Sequence, residues 1–189
     1  TDHPSSKVVQ MKKLLVVLVC TLLVIGGVAL AQGPTDGSEG VGDSLYPSAG
    51  NGGYDVQHYT LSIDVDVSNN FIDAVAVVEA VATQDLSAFN LDLRGLRVDS
   101  VTVDDAPATY GRSRDELTIE PSTNLTNGDT FVVEIAYSGE PNDGTFGGAN
   151  YSQGWNPLNN GEGVFVASEP DGSPSWYPVN DHPSDKATY

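Results

Sequence analysis

The sequence predicts an all-β domain, an antiparallel sandwich or saddle. Three observations carry that expectation. Apolar and polar residues alternate with a period of two in several runs after Tyr54. Clusters of Asp, Asn, Gly and Pro separate those runs at short intervals. No stretch beyond residue 31 shows the spacing of an amphipathic helix, and many short strands at such spacing argue for packed antiparallel sheets.

Taken in order, the chain starts with a segment that does not belong to this pattern. Met11-Lys12-Lys13 reads as an initiator and a positive n-region, with residues 1–10 as upstream sequence. An apolar run from Leu14 to Ile25, a Gly26-Gly27 break and Ala29-Leu30-Ala31 complete the order of a secretory signal over residues 11–31. The predicted cut lies between Ala31 and Gln32, which implies a secreted or cell-envelope protein. An uncleaved anchor is the other reading of the same segment. Residues 32–53 are rich in Gly, Ser, Pro and Asp without hydrophobic period, and are expected to form a flexible linker.

From Tyr54 the alternation begins. Tyr59, Leu61, Ile63, Val65 and Val67 interleave with His58, Thr60, Ser62, Asp64 and Asp66, a strand with one wet face. Ser68-Asn69-Asn70 makes a turn, and Phe71 to Thr83 a second strand, so the pair reads as a hairpin. Further strands are expected at Ala88 to Leu93, Val98 to Val103, Glu116 to Ile119 and Thr130 to Tyr137. Asp104 to Pro107 and Thr126 to Asp129 supply turns between them. Gly139 to Gly163 is a long Gly/Asn-rich loop containing Tyr151 and Trp155, of a length that is usually functional or flexible. The run Val164 to Glu169 follows as a strand.

Composition narrows the function. Acidic residues outnumber basic ones 26 to 8, a net charge of −18. Such a surface repels phosphate backbones, which excludes nucleic acid and any stable membrane association once the signal is removed. The single cysteine, Cys20, lies in the apolar run, so no intrachain disulfide forms. The three histidines, His3, His58 and His182, include no i, i+4 pair. The chain therefore lacks His-Glu-x-x-His, and it also lacks a Gly-x-Ser-x-Gly elbow, a P-loop and a Cys-x-x-Cys. No residue of this chain is assigned a catalytic or metal-binding role. His182 reads as a loop-packing residue, His58 as exposed, and Asp64 and Asp66 as an acidic solvated face, with calcium as the alternative. Asn124 and Asn150 head glycosylation-type triplets.

The segment Ser168 to Tyr189 is the least generic. Pro178 and Pro183 hold Tyr177 and His182 extended. Asn180, Asp181, Ser184 and Asp185 favour bonds to local backbone, and Trp176, Tyr177 and Tyr189 supply apolar bodies that pin the loop. Tyr177, Pro178, Asp181, Pro183, Lys186, Ala187 and Tyr189, with Glu169 nine residues before Pro178, resemble a segment of the aminopeptidase N family of zinc metallo-aminopeptidases. Tyr54 to Leu61 looks like the first strand of that family's N-terminal domain. Val179 stands where many relatives have Cys, and Ala167 where a Gln is frequent.

The resemblance implies that residues 54–189 are a partial N-terminal β domain, incomplete at its C-terminal end, and that a missing C-terminal catalytic domain holds the zinc. It implies a peptide substrate recognised through its free N-terminus, with Glu169 projecting into the cleft to bind the α-amine. Asp181 and Lys186 are expected to fix the loop by hydrogen bonding and ion pairing. A second reading is a non-catalytic secreted β-sandwich module that binds carbohydrate or peptide, with Tyr151 and Trp155 on its ligand face.

Overall fold

The computed structural model describes residues 33–141, 153–158, 161–169 and 171–189. The leader segment, Asn150 and Tyr151 lie outside them.

The hairpin comes first in the core. Strand β2 (Tyr54–Asp66) pairs antiparallel with β3 (Phe71–Ala82) along almost its whole length. In β2 the buried residues are Tyr54, Val56 and Tyr59, so the inward positions change from even to odd. A bulge between Val56 and His58 accounts for the change. One extra residue shifts the phase of a period-two element, and every later side chain turns over with it. Asn70 closes the hairpin at φ 49°, a left-handed conformation that Asn tolerates.

Strand β3 turns its smaller side chains inward. The valines Val75, Val77 and Val81 are only half-buried, whereas Ile72, Ala74, Ala76, Val78, Ala80 and Ala82 are buried. Small side chains at the centre of the sheet leave room for the large residues opposite. Strand β9 (Thr130–Gly139) lies on the other side of β3 and sends Phe131, Val133, Ile135 and Tyr137 into the same core. Strand β5 (Arg97–Val103) pairs with β9 and then with β6 (Ala106–Pro107). Asp104 and Asp105 join those last two at φ 49° and 63°, the two-residue turn that matches strand twist.

A second sheet covers the first. It contains β4 (Leu86–Asp92), β8 (Glu116–Glu120), β7 (Thr109–Ser113) and β1 (Thr35–Asp36), in the order β1-β4-β8-β7. Phe89 from this sheet meets Tyr54 and Phe131 from the other at ring distances of 5.7 and 5.2 Å, tilted or edge-on. These are favourable aromatic geometries. Strand β7 has no apolar period, being exposed throughout, and is held by its pairing with β8.

The expected linker departs most from its sequence reading. From Thr35 to Gly53 the chain lies on β4. Strand β1 runs parallel to β4, Gly37 N–H donates to Ala88 O at 2.8 Å, and Thr83 N–H donates to Gly53 O at 2.9 Å. Asn51 is 1% exposed. These contacts run through backbone and polar groups, so hydrophobic period gave no sign of them. Strand β4 is buried on both faces as a result. Thr188 adds a parallel bridge to the outer side of β2 at His58.

Face assignment in β3 is open to direct test. Ala76→Leu should destabilise the domain by about 1–3 kcal/mol through overpacking. Val77→Leu, on the opposite face, should change stability by less than about 0.5 kcal/mol. Urea denaturation measures both, and equal effects would contradict the assignment.

Candidate functional site

Glu169 lies two residues beyond β11 (Val164–Ala167), which pairs antiparallel with β10 (Gly154–Pro157). It is exposed, in a turn closed by Gly172 N–H donating to Ser168 O at 2.9 Å. The turn runs into a 3₁₀ segment, Ser173–Ser175, with Pro174 inside it. Trp176 Nε1 donates to Ser168 Oγ at 3.3 Å, which ties the start of the turn to the aromatic cluster below.

That cluster joins Trp176, Tyr177 and Tyr189 of the loop to Tyr59 of β2. Tyr177 is buried and meets Tyr59 edge-on at 5.8 Å, and Tyr189 stacks on Tyr59 at 5.2 Å. Tyr177 and Tyr189 hydroxyls are 2.9 Å apart. Trp176 packs on Tyr177, and Tyr137 Oη donates to Trp176 O. Pro178 is buried and Pro183 exposed.

The polar fastening of the loop differs from expectation in its members. Asp92, on β4, accepts Asn51 Nδ2 at 3.1 Å and Asp181 N–H at 3.0 Å on the same carboxylate oxygen. Asn180 Oδ1 accepts Asn51 N–H at 2.6 Å, and Asn180 N–H donates to Tyr59 Oη at 2.9 Å. Val179 and Asp92 exchange both backbone hydrogen bonds. Asp185 accepts Val56 N–H and Asn180 Nδ2. Thus Asp181 is held by its backbone, while Lys186 is exposed and makes no ion pair among the described residues. The expected role of Lys186 falls to Asp185, because a buried junction of backbone N–H groups needs acceptors. Asn51 and Asp92 were not singled out in the sequence. Asn51 lies among glycines and Asp92 between two leucines, and neither setting marks a loop fastener.

A cavity of about 500 Å³ lies beside this junction, lined by Glu39, Asp92, Asp115, Glu116, Asp171 and Asp181 among others. Arg94 also lines it and pairs with Asp115 at 3.0 Å. Burial pushes Asp92 up to about 6, against the hydrogen bonds from Asp181 and Asn51. Burial, then the nearby negative Asp92, pushes Asp181 and Glu116 to about 7. Burial also raises Asp185 to about 6.

The two described histidines, His58 and His182, are engaged locally. His58 is half-buried, its Nδ1 2.6 Å from Thr188 Oγ1, where the sequence suggested an exposed side chain. His182 Nδ1 accepts Ser184 N–H, and its Nε2 is 3.5 Å from Asp43. Asp66 accepts both the backbone and side-chain N–H groups of Asn69, which makes it a turn cap. Among the described residues no group of three or more His, Cys, Asp or Glu is disposed to hold a metal ion. Trp155 is 5% exposed, with Nε1 donating to Asn70 Oδ1 at 2.9 Å. It anchors its loop, and a ligand face built on it is not available.

Comparison with known proteins bears on this geometry. The family model of the peptidase M1 N-terminal domain matches residues 55–189. An M1 zinc metallopeptidase from Deinococcus radiodurans, solved with a Tyr-Ser-Ala substrate, is 30% identical with a TM-score of 0.69. The match covers 78% of this chain and 34% of that one. A two-domain M1 zinc metallopeptidase bound to L-arginine is 29% identical, with a TM-score of 0.70 and the same coverage. Legionella pneumophila aminopeptidase A, solved with aspartic acid, shares the fold at 20% identity and a TM-score of 0.56, over 72% of this chain and 16% of that one. The chain thus spans about a third of the length of the first two structures. A comparison with curated proteins returned no match.

The carboxyl cluster fixes the sign of the domain's pH dependence. Asp92, Asp181, Glu116 and Asp185 all titrate higher in the folded state than in the unfolded chain. The folded domain therefore binds more protons between about pH 4 and 7, and their contribution is lost as pH rises through that interval. The melting temperature should be higher at pH 5 than at pH 8. Asp92→Asn keeps an acceptor for both bonds and removes the charge, so it should flatten that slope; an unchanged slope would contradict the assignment.

Proposed function

Because the chain belongs to the peptidase M1 family, through that family's N-terminal domain, we propose that it is the substrate-amine-recognising part of a secreted zinc aminopeptidase that removes N-terminal residues from peptides. The observation that carries this reading is the placement of Glu169. It stands exposed on a turn whose two ends are bonded, nine residues ahead of the buried Pro178.

In this reading Glu169 presents a carboxylate to the free α-ammonium of the substrate. The resulting charge-assisted hydrogen bond reads the N-terminus and not the side chain beside it. The donors described in this chain do not fit a zinc site, since His58 and His182 are engaged locally and far from any shared ligand set. The proposal assigns zinc to the downstream part of the parent protein, which supplies the hydrolytic chemistry. What this domain contributes is a fixed anionic point against which the first residue of a peptide is placed. The leader-like segment over residues 11–31 supports export of the parent.

The test uses the protein extended to the length of its structural relatives, assayed on aminoacyl-anilides with and without chelator. Chelator-sensitive release is expected. Glu169→Gln should raise KM by about 10- to 100-fold, the range of one charged hydrogen bond. Activity that ignores the chelator would sink the zinc assignment, and an unchanged KM would sink the role of Glu169.

A further inference from the structure

We infer that Ser175 is a positioning residue for Glu169, acting through a contact between Gly154 and Gly172. The inference rests on the amine-reading role proposed for Glu169. Ser175 is fully buried, yet its hydroxyl is used twice. It donates to Gly172 O at 2.7 Å and accepts Trp155 N–H at 3.2 Å. Gly172 in turn closes the turn that carries Glu169. One hydroxyl therefore ties the end of that turn to strand β10.

The two glycines allow this approach. Gly154 has φ +92°, and a Cβ there would stand 2.0 Å from Ser175 Oγ. Gly172 has an ordinary φ of −84°, so its need is space alone: a Cβ there would stand 2.3 Å from Gly154 N and 2.9 Å from Ser168 Cα. Contacts under 3 Å cannot be relieved without backbone movement, because most of the opposing atoms are backbone. The register places Gly154 opposite Ala167, the last residue of β11. The chain on either side of Glu169 is thus seated on the same glycine.

The connection continues into the sandwich. Trp155, next to Gly154, is buried and bonded to Asn70 in the β2–β3 turn. Trp176 fastens the other end of the turn through Ser168. A carboxylate that selects by position needs such support, since a displacement of about 1 Å suffices to lose much of the benefit of orientation.

The experiment is a double-mutant cycle in the extended enzyme, using Ser175→Ala and Glu169→Gln singly and together, with KM and kcat measured on a free-amine peptide. Ser175→Ala should raise KM about tenfold, as expected for a lost buried hydrogen bond. In the Glu169→Gln background it should add almost nothing, because the group it positions is no longer ionised. Additive effects would overturn the inference, and so would an unchanged KM. A merely destabilised protein lowers the amount of active enzyme and leaves KM alone. If Ser175→Ala does not fold, Trp176→Phe removes the bond to Ser168 and keeps an aromatic ring against Tyr177, and should raise KM less but with the same non-additivity; additivity there overturns the inference equally. If Glu169→Gln alone leaves KM unchanged, the amine-reading role itself has failed, an outcome distinct from additivity.

Discussion

Burial of polar backbone beneath β4 is the constraint that shapes this domain. The edge of β4 opposite β8 is lined not by a full strand but by the short β1 and two irregular segments, Gly37 to Gly53 and Val179 to Asp185. Irregular backbone can be buried only when its N–H and C=O groups find partners. Asn51, Asp92 and Asn180 supply them, each at most 7% exposed and each bonded to another part of this junction. Remove Asn51, and Asp92 and Asn180 each lose a hydrogen bond in a buried setting. The turn bearing Glu169 stands on this junction, since Arg94 N–H, two residues beyond Asp92, donates to Pro174 O at the foot of that turn.

The same arrangement explains the electrostatics. A chain with net charge −18 cannot bury carboxylates beside one another without shifting them toward the neutral form. Asp92, Asp181 and Glu116 are such a set, with Arg94 as the cation paired into it. Asp92 nonetheless keeps two donors on one oxygen, so its burial has a structural purpose that protonation does not abolish.

Much of the fold was legible because strands that cover a core must alternate. The runs at Tyr54, Phe71, Val98, Glu116 and Thr130 all became strands near their expected limits. Period-two reasoning failed where side chains do not carry the contact. It missed the packing of Gly37 to Gly53, which is bonded through backbone, and β7, which is exposed and held by its partner. In β3, where most residues are apolar, period-two reasoning assigned no inward face, and the structure buries the alanines while the valines Val75, Val77 and Val81 stay half-buried. At the candidate site, proline and aromatic spacing located the loop; Tyr177 is buried, whereas Tyr189 stacks on Tyr59 with most of its surface exposed. Asp185 and Lys186 were less readable, since acceptor and cation look equally suited to hold a loop until the donors are known. Ser175 gave no signal at all: its importance depends on two glycines, one of them twenty-one residues away.

Strand β2 has a long outer side, and among the described residues only its first half is bonded to the C-terminal segment, at His58 and Thr188. Along the remainder, Thr60, Ser62, Asp64 and Asp66 are all exposed. Two copies brought together along this side would set aspartates of one against aspartates of the other, with no lysine or arginine in the strand to relieve them. The acidity of that face thus also disfavours a second copy of the chain laid along it.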